Sequence, residues 1–243
     1  MIIKERYKVI RVLKLEEHYA ALHAVDITAR SNEQYIVNVY DGDLVKPYVG
    51  YFSTAQRCPG FVEMFVRDGS LAAVFRYSDG QDMDMFFRRG NSLSGRECIE
   101  YADRLFDEAL AVSDLSPYIS CPLMLSSQLR PDPEDKKIRM KYVIEPMRDM
   151  NERELALLLR DQIVRILDIR FTTCMAVRKY VRNLRRSDVY TVAQMCSEWR
   201  SLRKTMYEET DALEGKMTAA SAFGIIRVNI ADMFSQLFRN GRR

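Results

Sequence analysis

Histidine is almost missing from this chain, which carries only His18 and His23 in 243 residues. Both flank one predicted strand, so histidine-based acid–base catalysis and zinc coordination have few candidates. The five cysteines, Cys58, Cys98, Cys121, Cys174 and Cys196, are dispersed and form no Cys-x-x-Cys pair. An odd, scattered set reads as reduced structural thiols, and no metal site is assigned. No apolar run approaches the ~20 residues of a membrane span, and the Met1-Ile2-Ile3-Lys4 start lacks the apolar core of a signal peptide. The expected location is therefore cytoplasmic. Gly-x-Ser-x-Gly, a Walker loop and a dinucleotide fingerprint are absent as well, which removes the commonest enzyme templates. A net charge of +3 on 29% charged residues gives no general reason to bind polyanions.

What is present is a 47% hydrophobic chain with two differently patterned parts. Up to about Met147 the pattern favours strands and one long helix. Residues 61–77 alternate around Asp68-Gly69, the signature of a hairpin. Ser94 and Glu97 form a capping box ahead of Cys98, Ile99, Ala102, Leu105, Phe106 and Ala109, whose spacing predicts a helix to about Val112. Beyond Met147 proline vanishes and glycine is confined to Gly215, Gly224 and Gly241. Helical periodicity takes over there. Asn151 caps one predicted helix; Phe171 to Leu184 forms a second or a bent continuation of the first, a third starts at Ser187 or Asp188, and a fourth starts at Ser221. The expected class is α+β, with a sheet-containing domain over 1–147 and an all-helical domain over 148–243.

The N-terminal pattern, from Glu5-Arg6-Tyr7 through His23-Ala24-Val25-Asp26 to Tyr35-Ile36-Val37-Asn38-Val39-Tyr40, resembles the first three strands of a protein-kinase small lobe. That family's third strand carries a lysine that grips the α- and β-phosphates of ATP. Here Asn38 occupies the place. The turn that should be glycine-rich reads Lys14-Leu15-Glu16-Glu17-His18-Tyr19-Ala20-Ala21, and Asp43 is the only acid between Gly42 and Gly60, so the lysine's glutamate partner is missing too. The stretch Ser116 to Gln128 falls where a catalytic loop is expected, with Leu123 and Gln128 at degenerate positions and no aspartate until Asp132. Tyr142 and Glu145 stand in the Asp-Phe-Gly region. The resemblance thus implies a kinase shape without its chemistry: no catalytic residues, no cofactor, and a cleft too poor in cations to retain a triphosphate.

One local charge excess stands out between Arg165 and Lys204, with ten basic residues against three acidic ones. Arg178, Lys179, Arg182, Arg185 and Arg186 cluster on one to two helical faces, a candidate interaction patch or an ordinary solvated face. The favoured reading is a catalytically inactive, pseudokinase-like scaffold that binds a protein partner, with self-association into a homodimer as a further option. Soluble pseudokinase domains of bacterial secretion machinery are similar, although the type VII subunit of this kind continues into a membrane helix without a counterpart here. One alternative is an atypical phosphotransferase using Lys46 and Glu145 as substitutes. Another is a basic helical module for nucleic acid or a membrane surface, which sparse aromatic interleaving and the absence of a helix-turn-helix pattern disfavour.

Overall fold

The computed structural model describes residues 1–29, 33–88, 93–167, 174–187 and 191–215. Six antiparallel strands, β1 (Ile2–Ile3), β2 (Tyr7–Glu16), β3 (Tyr19–Asp26), β4 (Gln34–Tyr40), β5 (Phe61–Arg67) and β6 (Ser70–Arg76), form a sheet in the order β1-β2-β3-β4-β6-β5. Asp68 and Gly69 both take positive φ at the β5–β6 turn, as a two-residue hairpin connection requires. The expected eight-residue turn at 14–21 is far tighter: β2 runs to Glu16, and only Glu17 and His18 separate it from β3.

Central strands pack on both faces, because the sheet curls. Ala21, Ile36, Tyr40, Ala73 and Phe75 face the main core, while their neighbours Leu22, Val37, Ala72 and Val74 close a smaller core around Tyr7 and Tyr35. Register shifts at Val9/Arg11 and Val12/Lys14 bend β2 into the curl. The curl brings the β1–β2 end against β5, where Glu63 accepts from Tyr7 Oη at 2.5 Å and Arg6 Nη1 at 3.3 Å and pairs with Lys4. Polar contacts thereby join the two ends of the sheet.

Between β4 and β5 the chain forms a short helix, α1 (Val45–Tyr51), extended by a 3-10 turn over Phe52–Arg57. After α2 (Met83–Phe86) comes α3 (Gly95–Ser113), opened by the expected Ser94/Glu97 capping box. Next, α4 (Pro117–Leu123) occupies part of the stretch where a catalytic loop was expected. Proline at its first position and a buried apolar run account for the helix, and Leu123 is fully buried on it. The hairpin β7 (Leu129–Pro131) and β8 (Ile138–Met140) follows.

The helices α5 (Glu152–Leu167) and α6 (Met175–Arg186) and a helix over 192–215, α7, join α3 in the main core. Asn151 caps α5 by accepting from the Glu154 amide at 3.1 Å, as the sequence suggests. The cap of α7 is Thr191, which exchanges hydrogen bonds with Gln194, so the expected cap Ser187 is not the one used. A Thr-x-x-Gln box fixes both backbone amides, which Ser187 four residues earlier cannot reach. α7 runs antiparallel to α3: Trp199 donates to Asp103 and packs on Phe106, Asp211 pairs with Arg96, and Glu214 accepts from the Gly95 amide. The predicted start of the second helix at Phe171, the alternative cap Asp188 and the fourth helix from Ser221 lie outside the described residues.

Asp26, at the end of β3, anchors the curl. The residue is 3% exposed, and its carboxylate accepts from Arg6 Nε at 2.7 Å, from Thr28 Oγ1 and from the amides of Thr28 and Ala29. Burial alone raises its pKa, but these donors outweigh burial and bring it down to about 2. Because the folded value lies below the unfolded one, this contribution is full above the ordinary aspartate pKa and disappears as pH falls through about 2. Asp26→Asn is expected to lower stability by about 1–3 kcal/mol at neutral pH and to flatten the acid limb of a urea-melt series between about pH 5 and 2.

Candidate functional site

The cleft beneath the sheet is built on two side-chain amides. Asn38, in the middle of β4, is fully buried. Its Nδ2 donates to the Tyr142 carbonyl at 2.9 Å, while its Oδ1 accepts from the Ile144 amide at 2.9 Å and from the Tyr19 hydroxyl at 2.8 Å. From the opposite side Gln128 Oε1 accepts from the Val143 amide at 3.1 Å, and the Gln128 carbonyl accepts from the Lys141 amide at 2.8 Å. Tyr40 adds a bond from its hydroxyl to the Ile144 carbonyl at 2.7 Å. Segment 142–144 is thereby bonded along its length like a strand, although its partners are mostly side chains.

The Tyr142 ring completes the fit. It stacks on Phe75, with ring centroids 5.1 Å apart and planes 11° from parallel, and presses against Gly60. A methyl group at Gly60 would sit 2.2 Å from that ring, so no larger residue is accommodated without moving it. Tyr142 itself has φ of 62°, a strained region for a tyrosine that the surrounding bonds must hold in place. Next to it Glu145 pairs with Lys14 of β2, and Lys14 also holds Glu16 at 2.9 Å.

No protein-family model matches the sequence, and no curated protein does. The backbone, however, is similar to the crystal structure of the Mycobacterium tuberculosis PknI kinase domain, with a TM-score of 0.54 at 13% identity. That match covers 84% of this chain and 98% of the other. The fold is protein-kinase-like. A likeness at this identity carries the architecture alone, so the chemistry has to be read from the residues in place.

Within the kinase-like fold the degenerate positions come together in part. Asn38, Gln128 and Tyr142 meet at one point, and Glu145 lies beside them, whereas Leu123 belongs to the packing of α4. An amide offers a donor and an acceptor on one flat group, which lets Asn38 bridge a carbonyl and an N–H two residues apart. A lysine has donors only and would leave the Ile144 amide without a partner. Lys46 is exposed on α1 and makes no ion pair with Glu145, whose carboxylate goes to Lys14.

The cleft is not poor in cations, contrary to the sequence expectation. Lys14, in the segment that the resemblance expects to be glycine-rich, and Arg130 and Lys141, at positions to which it assigns no role, all sit at it. Residue identity at Asn38 was readable from sequence; cations contributed by β7 and by the residue after β8 were not, because only folding places them beneath β2. A second feature missed in the sequence is a groove of about 410 Å³ beside segment 146–148. Tyr48, Tyr51 and Tyr118 line it, the last two stacked at 4.4 Å, with Glu16 and Glu17 on one rim and Arg148 on another. Clustered tyrosines from Tyr40 to Tyr51 were its only sequence signal.

The basic patch lies on α6. Val177, Tyr180, Val181 and Leu184 are buried, and Arg178, Lys179, Arg182, Arg185 and Arg186 occupy the exposed positions.

Replacing Asn38 tests the clamp directly. Asn38→Lys, which introduces the lysine expected from the resemblance, is expected to destabilise the fold by about 2–4 kcal/mol, since it strands buried backbone groups and adds a desolvated charge. Asn38→Ala should cost a similar amount in urea denaturation, while Lys46→Ala should change stability by no more than about 0.5 kcal/mol.

Proposed function

We propose that this chain is a kinase-like module without phosphoryl transfer, acting as a scaffold that binds a protein partner. The observation that carries this reading is the Asn38–Gln128 clamp. A phosphotransferase site needs a cation on the triphosphate, carboxylates on magnesium and a base for the acceptor hydroxyl. In this cleft the corresponding positions hold backbone instead: Asn38 and Gln128 bond segment 142–144, Tyr142 packs against Gly60, and Glu145 is neutralised by Lys14. Among the described residues no cluster of three His, Cys, Asp or Glu side chains could hold a metal ion.

Partner binding then falls to the surfaces that the fold leaves outside. The tyrosine groove offers a concave aromatic surface of the kind that anchors peptide side chains. The exposed face of α6, with no acid in its first turn and Arg185 and Arg186 in its last, suits an acidic protein surface. Among the described residues no helix is long and apolar enough to cross a membrane.

The test is whether magnesium matters. In thermal melts with ATP, the shift is expected to be no larger with millimolar Mg²⁺ than with EDTA, and radiolabelled γ-phosphate should reach neither the protein nor a generic acceptor. A magnesium-dependent rise that Glu145→Gln removes would instead make this an atypical phosphotransferase.

A further inference from the structure

Three cations of the cleft lie near one another: Arg130 and Lys141 belong to the two sides of the β7–β8 hairpin, where the Lys141 amide donates to the Gln128 carbonyl at 2.8 Å, and Arg11 on β2 acts electrostatically on Lys141. Arg130, on β7, is 8% exposed, and its side-chain carbons lie under Gly80, where an added methyl would meet them at 3.6 Å. Its guanidinium donates through Nη1 to the carbonyl of its own neighbour Leu129 at 3.0 Å, and among the described residues no carboxylate lies within ion-pair distance. Lys141, one residue past β8, is half-buried, and among the same residues its ammonium has no hydrogen bond or ion pair. Arg11 on β2 lies above, exposed and equally unpaired among them.

Two acids stand nearby and are already engaged. Asp82 caps α2 by accepting from the Met85 amide at 2.8 Å, and Asp79 accepts from the Gly80 amide and the Tyr77 hydroxyl. Burial lowers the pKa of Arg130, and Asp82, Tyr77 and Asp79 offset it only in part. Burial, then Arg130 and Arg11, also lower that of Lys141, against Asp82 and Glu145. Desolvated like charges with unused donors are costly unless an anion sits between them.

We propose that Arg130, Lys141 and Arg11 form a binding site for a small oxyanion of two or more negative charges. Arg130 supplies a flat fork of N–H donors fixed in place by its buried stem, which suits two oxygens of one phosphate or carboxylate group. Lys141 adds a mobile point charge at the half-open side, and Arg11 closes the site from β2. The site does not use Asn38, whose amide is already engaged by Tyr142, Ile144 and Tyr19, and it requires neither a nucleobase nor a metal.

The experiment is a thermal melt of the full chain in EDTA at constant ionic strength, titrated with pyrophosphate, inorganic phosphate or malonate against sodium chloride. Pyrophosphate is expected to give a saturable rise of about 3–5 °C at millimolar concentration, with at least a roughly tenfold loss of apparent affinity in Lys141→Ala. A stronger response to malonate keeps the site and makes its ligand a dicarboxylate. Arg182→Ala, on α6, should respond as the parent does. Lys141→Ala removes a half-buried charge facing two others, so it should fold at least as well as the parent; Arg130→Met provides a second variant with its buried stem retained. The proposal is overturned if no anion gives a saturable shift, or if Lys141→Ala responds like the parent. Either result would leave the magnesium test of the inactive reading untouched.

Discussion

The polar backbone of residues 142–144 passes through the middle of the molecule, away from water, and everything around the cleft depends on how it is hydrogen-bonded. Three side chains of β3 and β4, Tyr19, Asn38 and Tyr40, and Gln128 ahead of β7 meet that demand. Each is a neutral group, so the network needs no counter-ion in a region where an unpaired charge would be expensive. The sheet and the segment that leads out of the hairpin β7–β8 are joined at this point by hydrogen bonds.

The same interaction explains several local choices. Gly60 leaves room for the Tyr142 ring, the ring stacks on Phe75 of β6, and the positive φ of Tyr142 turns its carbonyl and the following amides toward Asn38. Lys14 and Glu145 then neutralise each other at the mouth. On the far side of the sheet, Glu63 and Asp26 hold the curl that keeps β4 central, so the clamp sits on a strand with neighbours on both edges.

Much of this architecture was legible in the sequence where the signal is local. The Asp68-Gly69 hairpin, the Ser94/Glu97 box and the Asn151 cap each depend on residues within a few positions of one another. Asn38 was recognisable as a departure from the kinase pattern, but its task was not, because its partners lie 104 and 106 residues further along the chain. The curl escaped for a related reason: alternation reports which residues share a face, not that Lys4, Arg6 and Tyr7 will meet Glu63. Arg130 and Lys141 drew no attention in the sequence, since nothing in their spacing reveals burial. Helix α4 was hidden by the expectation of a loop, although its proline start and apolar run were both visible.

In this chain Tyr142 is interleaved with Gly60 and Phe75 on one side and bonded to Asn38 on the other, so the cleft is filled by the chain's own residues. A ligand or partner binding beside the cleft would meet a surface already set in shape, with little ordering of that region left to oppose association.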